Sequence, residues 1–156
     1  MAQPVLEIDN LSVQFNLKRG VLRAIDQISF DVGKGETFGL VGESGSGKSV
    51  TARAIMRLIP SPPGEIATGT VRFQGRDLYQ MPDDEIREIR GQNIAMVFQE
   101  PMNALNPVFT VGSQIGDALR TNMGMSKQEA RERTIEMLQL VGIPSPSDRV
   151  DNYVHE

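Results

Sequence analysis

Residues 37–50 read TFGLVGESGSGKSV, and within them residues 42–49, GESGSGKS, match G-x-x-x-x-G-K-[S/T] in full. The match lies between a short apolar run, TFGLV, and a stretch with an apolar helical face, the strand–loop–helix context that such a loop requires. The composition follows from the chemistry. A polyphosphate offers no apolar handle, so it is held by converging backbone N–H groups, and glycine lets that backbone curl close without a Cβ in the way. Gly42, Gly45 and Gly47 suit this purpose, with Glu43, Ser44, Ser46 and Val50 completing the loop and the first helical turn. Lys48 is placed to reach the β- and γ-phosphates as a point charge and Ser49 to offer Mg²⁺ a hydroxyl. The helix N-terminus adds partial positive charge at the same place.

Outward from the loop, the pattern is β-rich before it and helical well after it. Residues 5–37 alternate apolar and polar positions, with turn material at Lys18, Arg19 and Gly20 and again at Gly33, Lys34 and Gly35, as an antiparallel hairpin does. Behind the loop, Ala52, Ile55, Met56 and Ile59 mark the buried face of a helix that Pro60 ends. TVRF at 70–73 reads as a short strand, a polar helix follows Pro82, and IAMVF at 94–98 reads as a buried strand. Beyond Pro101 strand patterns vanish. A helix starts near Thr110 with Val111, Ile115, Ala118 and Leu119 on one face. A second helix opens on the reciprocal pair Ser126 and Glu129, repeats Ala130, Thr134, Met137, Leu138 and Val141, and ends at Gly142 and Pro144. The last residues, SPSDRVDNYVHE, carry no terminating pattern and look interrupted.

The 156 residues hold 16 Lys+Arg against 20 Asp+Glu, a net charge of −4 that provides no basic face for phosphate neutralisation and so argues against nucleic acid as a partner. With no cysteine there is no disulfide framework, thiolate zinc site or cysteine nucleophile. No run approaches the ~20 apolar residues that span a bilayer, so membrane association is expected through a partner.

A phosphate loop names a binding mode and no reaction. D-x-x-G and N-K-x-D do not occur, which removes a GTPase. IAMVFQEP at 94–101 and PMNALNP at 101–107, following GESGSGKS in this order, resemble the nucleotide-binding subunits of ATP-binding cassette (ABC) transporters, and within them the oligopeptide/dipeptide/nickel importer branch. The resemblance runs through the whole chain, from LSVQF near the start to VGIP at 141–144. It implies an α/β fold, a P-loop NTPase of ABC type: an antiparallel β part (1–37), part of the P-loop core (37–100) and the start of a helical subdomain (101–156).

Carried over residue by residue, the resemblance implies that Gln99 touches Mg²⁺ or the attacking water and couples the site to a membrane subunit. Read from composition alone, a polar residue capping a strand end is the lesser alternative for Gln99. Phe15 stands where the family stacks an aromatic ring on adenine, but its alternation with Leu11 and Val13 fits a packed strand residue as well. Pro101, Leu105 and Asn106 would lie near the coupling helix of a transmembrane permease subunit. Glu100 is rejected as catalytic carboxylate, because Gln99 precedes it and EPMNALNP fits the glutamine loop. His155, the only histidine, is expected at the surface or in packing, with Val154 standing where the family more often has proline.

The family's signature sequence LSGGQ, its Asp-Glu strand and its switch histidine are absent from the 156 residues. The chain is therefore expected to be the N-terminal portion of a longer ATPase, binding ATP and Mg²⁺ without efficient hydrolysis. In the family two strands of the parallel core come from the missing part, which would leave TFGLV and IAMVF without neighbours. The implied assembly is two permease subunits, a second ATPase subunit and, indirectly, an extracytoplasmic solute-binding protein, with this subunit peripheral on the cytoplasmic face of the bacterial inner membrane. Two other readings are a non-hydrolytic nucleotide-binding or interaction module and a P-loop small-molecule kinase. For the kinase, Arg87, Arg90, Arg131 and Arg133 would have to act as lid arginines, although a solvated helical face is their ordinary reading.

Overall fold

The computed structural model describes residues 3–100 and 104–156. The chain separates into two compact units, Met1–Arg87 and Glu88–Glu156. In the first, β1 (Leu6–Leu17), β2 (Gly20–Val32), β3 (Gly64–Phe73) and β4 (Arg76–Asp77) form one antiparallel sheet in the order β2-β1-β3-β4. The hairpin expected at Lys18–Gly20 is present, with Leu17 opposite Gly20. The sheet extends beyond residue 37, because β3, expected within the P-loop part, pairs onto the other edge of β1, and β4 pairs onto β3.

The sheet is broken by an extra residue at four positions, one of them Ala67 of β3, opposite the step from Ser12 to Val13 of β1. Asn10 (φ +51°) is the additional residue of β1 against both neighbours, while Ala24 and Gln27 (φ +51°) are the additional residues of β2. The first shift has a visible cause. Ile8 and Leu11 are three apart, so a regular pleat would send them to opposite faces, yet both are fully buried; one inserted residue reconciles the pattern with a single core. Serine hydroxyls take up the displaced amides: Asn10 N–H donates to Ser29 Oγ (2.8 Å) and Gln27 N–H to Ser12 Oγ (3.0 Å). Ile8, Leu11, Val13, Ile25, Val71 and Leu78 form the centre of this unit's core.

Helix α1 (Lys48–Ile55) ends before Pro60, four residues earlier than its apolar pattern suggests. Arg57 takes the left-handed conformation (φ +50°); its N–H donates to Ala54 O (2.9 Å) and the Leu58 N–H to Arg53 O (2.7 Å), which closes the helix in a Schellman motif. That position normally belongs to glycine, and a residue with a Cβ gives up about 1–2 kcal/mol to occupy it.

Two expected strands are corrected. Thr37–Val41 and Ile94–Phe98 pair with nothing among the described residues, and Phe38, Leu40, Val41, Val97 and Phe98 are exposed, Val41 by 91% and Val97 by 88%. Apolar content marks a segment that can be a buried strand. Only a neighbour on the ladder and layers over both faces make it one, and these two stretches have neither.

Helix α2 (Asp83–Gln92) crosses the boundary between the units, with Asp83, Asp84 and Glu85 in its first turn. The second unit is helical, as expected. In it α3 (Val111–Met123) is capped by the Thr110 hydroxyl, and α4 (Lys127–Leu140) opens on the reciprocal Ser126–Glu129 capping box. The two helices approach at small residues: a methyl placed on Gly116 would stand 4.0 Å from Ala130 Cβ. The buried Thr134 hydroxyl donates to Ala130 O (2.7 Å). The apolar face is narrower than its pattern, since Ala118, Met137 and Val141 are exposed. The tail, read as lacking an ending, forms α5 (Pro146–Arg149) and then packs on the start of α3: the Val111 and Gly112 amides donate to Asn152 O and Val150 O, and Val150 is buried.

Candidate functional site

Glycines 45 and 47 take left-handed backbone (φ +82° and +92°), which turns the chain sharply from residue 42 into α1. Gly47 is glycine for two reasons. Its φ disfavours any Cβ, and a Cβ there would stand 2.6 Å from the carbonyl oxygen of Ala24, the extra residue of β2. The irregularity in the sheet therefore touches the loop at the residue just before the lysine. At Gly42 a Cβ would stand 2.6 Å from Ser46 Oγ, so the loop closes on itself at its first glycine.

Lys48 is the first residue of α1, and its ammonium folds back over the loop, donating to Gly42 O (2.8 Å) and Glu43 O (2.6 Å), with Ser46 Oγ at 3.4 Å. The first amides of an α-helix have no acceptor inside the helix, and Gly47 supplies no side-chain cap. Acidic residues are absent from the first turn, so no carboxylate competes there with an anion for the donors. Helix α1 is tied back to the loop by the amide and hydroxyl of Thr51, which both donate to Gly47 O (2.8 and 3.0 Å). A cluster of N–H donors and one ammonium, with no carboxylate in the turn, suits phosphate oxygens. Glu43, Ser44, Ser46 and Ser49 are exposed, and Val50 is half-buried.

The other expected site residues fall in different places. Phe15 is half-buried on β1, opposite Leu22 on one side and Gly64 on the other. Its ring lies so near Gly64 that a Cβ there would stand 2.9 Å from Phe15 Cε1, so one part of the ring is committed to packing. Gln99 belongs to the second unit and is exposed, in a bend after the unpaired residues 94–98. Pro101 lies outside the described residues, while Leu105 and Asn106 are exposed. Among the lid-arginine candidates, Arg131 makes a bidentate pair with Asp151 (2.7 and 2.6 Å) and Arg133 pairs with Glu136 one turn on (2.8 Å). The Arg131 guanidinium holds the Asp151 carboxyl below its ordinary range, chiefly through that hydrogen bond. His155 is exposed and stacks on Tyr153, with ring centres 5.7 Å apart.

Gln114 was missed in the sequence. Its amide spans the loop before α3, accepting from the Asn106 N–H (2.9 Å) and donating to Asn106 O (3.0 Å) and Phe109 O (3.1 Å). The loop it holds presents Leu105, Val108 and Phe109 to solvent. A glutamine inside a helical pattern gives no signal of such a role, since its partners are identified only once the loop is folded.

Comparison with known proteins places these features in a family. The profile described as ABC transporter matches residues 25–156. The chain is 47% identical over 154 residues to the dipeptide transport ATP-binding protein DppD of Bacillus subtilis, covering 99% of this chain and 46% of that protein. It is 46% identical over 152 residues to the oligopeptide transport ATP-binding protein OppD of the same organism, covering 97% of this chain and 42% of that one. The chain thus spans about half the length of the curated relatives it matches. Among solved structures, the ATP-binding cassette MJ0796, a dimer in a post-hydrolysis state bound to ADP and Pi, superimposes with a TM-score of 0.81 at 23% identity, over 96% of this chain and 62% of that one. The fold is that of an ABC cassette, represented by its N-terminal part.

Proposed function

The chain belongs to the ABC transporter family, and from that premise we propose that it is the nucleotide-binding portion of an ATP-binding subunit that energises a peptide importer. The observation that carries the reading is the Lys48 ammonium folded over a loop of left-handed glycines at the uncapped start of α1. The names of the relatives support peptides as the transported class. Lys48 and the loop amides bind the β- and γ-phosphates. The Ser49 hydroxyl and the Gln99 side-chain oxygen are hard ligands suited to Mg²⁺, an ion that keeps several waters and takes the rest of its shell from substrate phosphates. When bound, Mg²⁺ supplies neutralisation of charge on those phosphates. Phe15 offers the free part of its ring to adenine.

The subunit pairs with a second ATPase subunit and with transmembrane permeases, and an extracytoplasmic binding protein delivers the solute to them. Among the described residues no helix is long and apolar enough to cross a membrane, which fits a peripheral place on the cytoplasmic face. As a 156-residue polypeptide, the chain binds nucleotide without efficient turnover, since it holds no LSGGQ and no apolar strand ending in Asp-Glu. Measuring ATP affinity and phosphate release on the same sample tests this. Saturable affinity lost in Lys48→Ala, with release at the level of buffer, is expected. Release that saturates with ATP and disappears in Lys48→Ala would overturn the non-hydrolytic part, and absence of affinity would overturn the whole reading.

A further inference from the structure

Helix α1 is eight residues long, and groups distant in sequence hold its far end. The Arg57 guanidinium donates to Leu78 O (3.0 Å) and Met81 O (2.8 Å) and pairs with Asp83 (2.9 Å), while lying 5.8 Å from the centre of the Tyr79 ring. Tyr79 returns the contact: its hydroxyl donates to Ala54 O (2.7 Å), in the last turn of α1. Only 21% of the Arg57 side chain is exposed, against 86% for Asp83, so the two backbone carbonyls are the durable part of this anchor. An arginine serves here better than the glycine that usually ends a helix in this way, since glycine would supply the left-handed turn and no anchor. The fork geometry matters as well, because one planar group meets three acceptors at once.

We propose that Arg57 is a positioning residue for the phosphate loop: by fixing the end of α1 against residues 78–83 it sets where Lys48 and Ser49, at the start of the same helix, meet a polyphosphate. The proposal rests on the nucleotide reading above. The eight residues of α1 span about 12 Å and move as one body. The Thr51 bonds to Gly47 O tie the helix start to the loop. A helix released at Arg57 can therefore shift at Lys48, and a misplacement near 1 Å is enough to lose substantial affinity for a pre-formed set of donors.

The test is equilibrium titration with a fluorescent ATP analogue and Mg²⁺, well below the unfolding temperature, alongside thermal unfolding. Arg57→Gly keeps the left-handed turn and removes only the anchor, so it is the decisive variant. It is expected to bind about tenfold more weakly, Arg57→Lys to recover part of that loss, and Tyr79→Phe to bind a few-fold more weakly. Wild-type affinity in Arg57→Gly, with a lowered Tm, would overturn the proposal and leave Arg57 a stabilising residue only. If Arg57→Gly does not fold, Tyr79→Phe and Asp83→Asn decide, and unchanged affinity in both overturns it. Lys48→Ala separates the two levels: loss there with none in Arg57→Gly sinks the positioning role alone, whereas a wild-type chain that takes no nucleotide sinks both.

Discussion

Helices α1 and α4 end in the same hydrogen-bond pattern and are otherwise opposites. In α4 both ends are satisfied by their own neighbours in sequence: Ser126 and Glu129 cap the start, and Gly142 (φ +77°) turns the end, with its N–H donating to Gln139 O and the Ile143 N–H to Leu138 O. In α1 the start has no side-chain cap and is bent over by Lys48, while the end is closed by Arg57 and held from residues 78–83. One helix is complete by itself. The other keeps donors free at the end where a ligand is to sit and is steadied at the opposite end by the rest of its unit.

Substitutions can break this contrast, and Gly47→Ala is expected to have the largest effect. It combines a Cβ at φ +92° with a 2.6 Å approach to Ala24 O, so a loss of about 2–4 kcal/mol and of nucleotide binding together is expected, read by thermal unfolding and titration. Unchanged affinity would mean that the loop does not depend on its seat against β2. Gly142→Ala forces a Cβ into a left-handed turn and is expected to cost about 1–2 kcal/mol. Ser126→Ala removes the α4 cap and is expected to cost about 1 kcal/mol. Neither should alter nucleotide affinity, and an effect on affinity comparable to that of Gly47→Ala would erase the distinction between the two helices.

The smallest effect is that of pH on the second unit. Hydrogen bonds from the Ser126 hydroxyl and amide regions hold the Glu129 carboxyl below its ordinary range, and Arg131 does the same to Asp151. A carboxyl whose folded pKa is depressed stabilises above its unfolded pKa, and that contribution is lost as pH falls through the folded value. The melting temperature should therefore decline on acidification below the ordinary carboxylate range, with Glu129→Gln showing a shallower decline. An equal slope in the variant would contradict the capping box as its source.

How far the sequence could be read follows from the same contrast. The phosphate loop, the β1–β2 hairpin and the α4 capping box were legible because each is written within a few consecutive residues. The bulges at Asn10, Ala24 and Gln27 were not, since an inserted residue is defined by the strand opposite. Arg57 was not, because its acceptors lie 21 to 26 residues further along the chain and its position normally calls for glycine. Residues 37–41 and 94–98 are apolar as read and lack ladder neighbours as expected, but among the described residues they form no strands, because strand structure depends on neighbours that their own composition cannot supply. Spacing alone points to Lys48 and the glycines of the loop, whereas in the second unit the bonds of Gln114 are visible only through the loop that it holds.

The central claim is that the start of α1 and its lysine form a seat for phosphates. Calorimetric titration of the chain with AMP, ADP and ATP in the presence of Mg²⁺ tests it most directly, because the three ligands share a base and differ only in the groups the loop is built to hold. A single site whose affinity rises from AMP through ADP to ATP, with the rise abolished in Lys48→Ala, is the predicted result. Equal affinity for all three, or a rise that survives Lys48→Ala, would contradict it.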